Sequence, residues 1–278
     1  MASVHIVTDS SCDLSEAETS EFGIGVVPLS IRFGAKEFID REELSVEQFY
    51  AEMARSKDLP ETAAPSPGRF DQEFRAAAAK GATSVVCINL SGALSATVES
   101  ARNAARGLEG ELDVRVIDSR SLTGGLGTMV LDAAAAARDG ADADTVQAMV
   151  EAMIPRTEIY GALDTLENLK KGGRIGSATA LVGSMLSIKP LIHISDGAVE
   201  EAGKQRTRRR ALEWMRDTLY NAPHVEKLSV LHGEAPDIED FLTLIADRFP
   251  RDTIRLGKIG AVIGTHGGPG VIGVCYLS

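Results

Sequence analysis

Five polar clusters in the sequence carry side chains able to hold or transfer a chemical group. They are Thr8-Asp9-Ser10, Thr62 with Ser66, the stretch Ser91 to Thr97, Asp118-Ser119, and Thr265-His266 ahead of Gly267-Gly268-Pro269-Gly270. Each falls in a loop or at the end of an expected strand, where open α/β sheets place their ligands. Ser91 to Thr97 follows a strand and opens a helix, so its free N–H groups and hydroxyls suit an anion. The same spacing suits a helix N-cap, and one loop can do both. His266 can donate to a carboxylate or act as a base, or stand as a structural imidazole in a glycine turn. Asp9, Asp118 and His266 together would suit a stand-alone hydrolase or phosphotransferase. Against that reading, no GxSxG, no P-loop and no GxGxxG after a strand is present.

Metal and redox chemistry find little support. Cys12, Cys87 and Cys275 are scattered without CxxC spacing, and the histidines form no HExxH, so no metal and no cofactor are expected. Lys204 to Arg210 has five basic residues in seven. Such a run reads as a solvated helix face, or as arginines gripping a carboxylate or phosphate.

These clusters need elements to position them. In Thr62 to Phe70 (TAAPSPGRF), Pro65 and Pro67 stiffen a loop that runs into a helix. The β-branched run Val4 to Val7, the segment 25–33, SVVCINL (84–90) and DVRVIDS (113–119) read as strands. Helices are expected over 15–22, 45–55, 70–79, 95–106, 124–138 and 142–153. The alternation predicts an α/β class with a largely parallel sheet flanked by helices. Past Pro155 the texture changes. Strands at 158–163 and 189–194, a hairpin at Asp196-Gly197, helices at 166–171, 177–187, 206–220 and 236–249, and late strands at 227–231, 253–259 and 271–277 predict a second α/β domain with a mixed sheet. The domains are therefore expected at 1–155 and 156–278.

The 278-residue length suits two medium domains, and 44% apolar with 25% charged residues is ordinary for a globular chain. A formal net charge of −11 argues against nucleic acid as a partner. No secretory signal and no membrane-spanning run is visible, and the sparse cysteines fit a reducing cytoplasm.

Taken in order, VTDSSCDL (7–14), TAAPSPGRF (62–70), LSGALSATVESA (90–101), VIDSRSLTGGLG (116–127), LKKGGRI (169–175), LSIKPLI (186–192) and GTHGGPGVIGV (264–274) resemble the DegV family of bacterial fatty-acid-binding proteins along the whole chain. The resemblance implies two α/β domains with a long-chain fatty acid in a buried tunnel between them. It implies a non-catalytic carrier that presents the carboxylate to a partner ATP-dependent fatty-acid kinase, in the service of phospholipid metabolism. By the same resemblance Thr62 and Ser95 bind the carboxylate, with Ser91 a lesser candidate. Arg206 and His266 complete the head-group network, and Arg174 contacts the kinase. Leu181, Met185 and Leu186 lie at helical spacing and suit a tunnel wall, or core packing. The sequence departs from the family pattern with Ala63-Ala64 for Ser-Gln and Ala96 for Gly. Those changes leave the preferred acyl length and saturation open.

Overall fold

The structure, a computed structural model, describes residues 3–181 and 188–278. Four parallel strands, β1 (Val4–Asp9), β2 (Gly25–Val27), β6 (Ser84–Asn89) and β7 (Asp113–Asp118), form one sheet in the order β2-β1-β6-β7. Its strands are covered on both faces, and their residues sort by the two-residue period of a strand. Ile6, Val86, Ile88 and Ile117 pack on α5 (Thr123–Arg138) and α6 (Ala143–Met153). Val7, Val85 and Cys87 face α3 (Pro67–Ala79) and α4 (Thr97–Arg106). α1 (Glu16–Phe22) and α2 (Val46–Arg55) each open with a capping box, Ser15 with Glu18 and Ser45 with Gln48.

A second sheet is mixed. Its order is β10-β9-β8-β13-β11-β12, built from β8 (Thr157–Ala162), β9 (Lys189–Ser195), β10 (Ala198–Gln205), β11 (Glu226–His232), β12 (Arg255–Lys258) and β13 (Ile272–Leu277). Only β11 and β12 run parallel. One face buries Tyr160, Leu191, Val230 and Val274 against α8 (Arg208–Asn221) and α9 (Ile238–Ile245). The other face presents Ile159, Ile192, Ile194 and Leu231 toward Leu90 and Leu122 of the first half. α5 lies against strands of both sheets. Its early glycines permit this, because a Cβ on Gly124 would collide with Leu231 and one on Gly127 with the Cys12 carbonyl.

A third, small antiparallel sheet is built from β4 (Lys36–Ile39), β3 (Ser30–Phe33) and β5 (Glu61–Ala63), in the order β4-β3-β5. Ile31, Phe33, Phe49, Tyr50 and Val262 bind it to α2 and α10 (Ala261–Gly267). α7 (Glu167–Lys171) packs on α10.

Four local expectations change. The strand expected over 25–33 is two, broken at Pro28, with β2 and β3 in different sheets. Thr62 is on a strand rather than a loop, paired with Ile31. The glycine-rich stretch before Gly268 is helical, because Gly264 lets α10 approach the Phe49 and Tyr50 rings. Where a helix was expected over 177–187, the described part is a 3-10 turn, Gly176–Leu181.

Candidate functional site

An apolar cavity of about 210 Å³ lies on the inward face of the mixed sheet. Its wall includes Leu90, Leu94, Leu122, Ile159, Leu163, Ile192, Ile194, Val199 and Val271. Its polar lining includes Thr62, Ser95, Arg174 and His266. They come from β5, the loop before α4, the segment after α7, and the last turn of α10.

Thr62 Oγ1 and His266 Nε2 are 3.1 Å apart. His266 Nδ1 is buried and has no hydrogen-bond partner among the described residues. Burial, with the Arg174 charge second, pushes the imidazole pKa down to about 4, so the ring is neutral at pH 7. Arg174 is held by two carbonyls, Nε to Leu94 O at 3.0 Å and Nη1 to Gly172 O at 2.7 Å. Ser95 Oγ is 2.8 Å from Thr97 Oγ1 and accepts from the Thr97 N–H at 3.3 Å. A neutral imidazole, two hydroxyls and a guanidinium at an apolar cavity suit an acidic head group on a hydrophobic body.

The other expected residues lie elsewhere. Ser91 is fully buried and outside the cavity lining. Its hydroxyl donates to Gly197 O at 2.7 Å and accepts from the Ala93 N–H, so it ties the loop before α4 to the β9–β10 turn. Arg206 is exposed in the bend ahead of α8 and does not line the cavity. The reason is local: the Thr207 hydroxyl caps α8, which begins at Arg208 and leaves Arg206 outside. Arg174, expected at a partner interface, is at the cavity itself. Met185 and Leu186 lie outside the described residues, as does the side chain of Leu181.

Of Asp9, Asp118 and His266, only His266 lines the cavity. Asp9 is fully buried and accepts from Ser11, Asn89 and the Leu90 N–H, which spends its lone pairs on the tip of β1. Asp118 accepts from the Gly92 and Arg120 N–H groups and so shapes two loops. Among the described residues no group of three or more His, Cys, Asp or Glu side chains could hold a metal ion.

One supporting residue went unread. Asp13 is buried in the left-handed conformation after β1. It accepts from Thr123 Oγ1 at 2.6 Å and from the Gly260 N–H at 2.9 Å. It therefore joins the start of α5 to the start of α10, the helix that carries His266. Its motif, VTDSSCDL, was legible, but which of its polar groups reaches across the fold was not.

The fold and cavity define a class: an α/β protein with an apolar pocket on the inner face of a mixed sheet, opened to polar groups from four segments far apart in sequence. The chain belongs to the DegV family. The family model, described as "Uncharacterised protein, DegV family", matches residues 3–278. A DegV domain-containing protein of Listeria monocytogenes is 33% identical over 277 residues, covering 98% of each chain. One of Deinococcus radiodurans is 35% identical over 284 residues, covering 98% of this chain and 97% of the relative. Among solved structures, a DegV family protein from Thermus thermophilus, described for its fatty acid binding, superposes with a TM-score of 0.91 at 31% identity over 99% of each chain. DegV of Bacillus subtilis, a fatty acid binding protein, gives 0.88 at 26% identity, covering 100% of this chain and 99% of that one.

Proposed function

We propose that the protein binds one long-chain fatty acid in this cavity and presents its carboxylate to a separate ATP-dependent fatty-acid kinase. The observation that carries the reading is the apolar cavity whose lining includes the Thr62–His266 pair, Ser95 and Arg174. The fatty-acid-binding relatives support it.

The chemistry is divided between tail and head. Burying ~14 methylenes at ~0.8 kcal/mol each is worth on the order of 11 kcal/mol before ordering costs. The head group adds less and decides which end of the acid meets the opening. For Thr62 to donate its hydroxyl to a carboxylate, its oxygen must accept from His266, which selects the Nε2–H tautomer. The Nδ1, without a partner among the described residues and beside the Arg174 charge, fits that assignment. Ser95 supplies a second hydroxyl and Arg174 the positive charge.

In this reading the protein is a carrier and not itself an enzyme. Phosphoryl transfer needs ATP and a metal to be positioned, and that machinery belongs to the kinase. Arg206 and the basic start of α8 form a docking surface for it. The acyl phosphate would feed phospholipid metabolism. The three free, buried cysteines are consistent with a cytoplasmic setting.

Native mass spectrometry of the purified protein, followed by denaturing extraction, tests the binding. A stoichiometric long-chain acid is expected, and a protein that stays empty after incubation with palmitate and oleate overturns the reading. A Thr62→Ala/Ser95→Ala double variant should still take up acid yet lose acyl-phosphate formation with the kinase. Unchanged formation would remove the head-group assignment.

A further inference from the structure

Two glycines face each other at the centre of the mixed sheet. Gly161 on β8 is the cross-strand partner of Gly273 on β13, and both line the cavity. The same rung continues to Ile192 on β9 and Leu231 on β11. A bare pair is unexpected here. Every residue of β13 is buried, and interiors are close-packed. Glycine also weakens a strand, and neither of these has the positive φ that would require it.

The space above them explains the choice. Among the described residues, a Cβ built on Gly273 would meet two atoms within 4 Å, the carbonyl oxygens of Tyr160 at 3.7 Å and Leu231 at 3.9 Å. Both belong to neighbouring strands of the sheet, and no side chain of the described residues comes within 4 Å of that position. Tyr160 points the other way, with its ring stacked on His193 at 4.4 Å. Gly161 is tighter, its Cβ position 3.2 Å from Ile192 Cγ1. The lateral room is thus over Gly273. It lies about 7 Å along β13 beyond Val271, from the ~3.3 Å rise per residue. The next residue on that face, Cys275, is buried beside Gly124 and does not line the cavity.

We infer that the Gly161–Gly273 pair is a specificity determinant, widening the cavity part-way down so that it favours an acyl chain with lateral bulk there. A cis double bond or a methyl branch supplies such bulk, and a straight saturated chain does not. The inference rests on the fatty-acid reading above.

The test is competition. Wild-type protein and the variants Gly273→Ala, Gly273→Val and Gly257→Ala are stripped of lipid. Each is then offered equimolar palmitate, palmitoleate and a mid-chain methyl-branched acid of similar length, and the bound ratio is read by native mass spectrometry. Gly257 lies on β12 opposite Leu231, outside the cavity lining, and serves as the control. Wild type should prefer the unsaturated or the branched acid to palmitate. Gly273→Val should shift that preference toward palmitate by about tenfold, the scale of one misfitted methyl-sized group. Gly273→Ala should shift it in the same direction by less, and carries the test if the valine variant does not fold. Gly257→Ala should leave it unchanged. Uptake of all three acids with the same ratio in wild type and both Gly273 variants would overturn this inference alone. No uptake by wild type would overturn the fatty-acid reading and this inference with it.

Discussion

Thr62 Oγ1 and His266 Nε2 lie 3.1 Å apart although 204 positions separate them. One sits on a three-residue strand and the other in the last turn of a short helix. The contact exists because β3, which pairs with β5, packs with α10 in a single apolar cluster.

Gly172 leaves the space in which His266 stands. A Cβ there would press into the imidazole at Nδ1 and Cε1, although the backbone, at φ −71° and ψ −8°, accepts alanine. Gly172→Ala should therefore displace the ring, break the bond to Thr62 and weaken fatty-acid binding about tenfold. That is the low end for a hydrogen bond to a charged group. Isothermal titration alongside a melting curve checks it. A large fall in melting temperature with unaltered affinity would count against the prediction.

Asp13 and His266 should oppose each other in the pH dependence of stability. Burial raises the Asp13 pKa to about 7 from its ordinary 3.8, despite Arg41 nearby. Between those values the folded state holds more protons than the unfolded one, so this group adds stability as pH falls from 7 toward 4. His266, at about 4 against 6.5, does the reverse. Its contribution is intact above 6.5 and is lost as pH falls toward 4. Relative to wild type, His266→Gln should gain on the order of 2 kcal/mol between those limits, allowing for partial solvent access. Asp13→Asn should lose ground from pH 7 to pH 4. Urea midpoints at several pH values decide it, and curves parallel to wild type would refute both assignments.

Ser91 gives a structural contrast to Ser95. Removing its hydroxyl strands the Gly197 carbonyl in a buried setting, at a cost of about 1–3 kcal/mol. Ser91→Ala should lower the urea midpoint accordingly while leaving the choice among acyl chains unaltered. Competition binding separates the two effects.

Arg206 is exposed and away from the cavity lining. Arg206→Ala should hold fatty acid within about twofold of wild type, the range of a surface change. It should slow acyl-phosphate formation with the kinase, if docking is its role. A comparable loss in binding would place the side chain at the head group instead.

What the sequence determined by itself is local and periodic. The two-residue alternation in SVVCIN sorts Val86 and Ile88 from Val85 and Cys87 onto opposite helix layers, and the boxes Ser15–Glu18 and Ser45–Gln48 start their helices. The change of texture after Pro155 separated a parallel sheet from a mixed one. The ordered motifs also carried the family. Short elements with no period of their own stayed hidden: β4 is half polar and β5 mostly polar, and α10 is a glycine-rich segment made helical by its packing on Phe49 and Tyr50.

The tertiary structure alone decided which polar groups share a cavity. Arg174 and Arg206 are equally basic in sequence. One is steered to the cavity by the Leu94 and Gly172 carbonyls, and the other is left outside by the cap of α8. Ser91 and Ser95, four residues apart, are divided because the β9–β10 turn takes the first hydroxyl. The Gly161–Gly273 pairing likewise depends on strand register, which sequence spacing does not encode. Hydrogen bonds and burial of this kind join segments across the whole chain, so no window of sequence contains them.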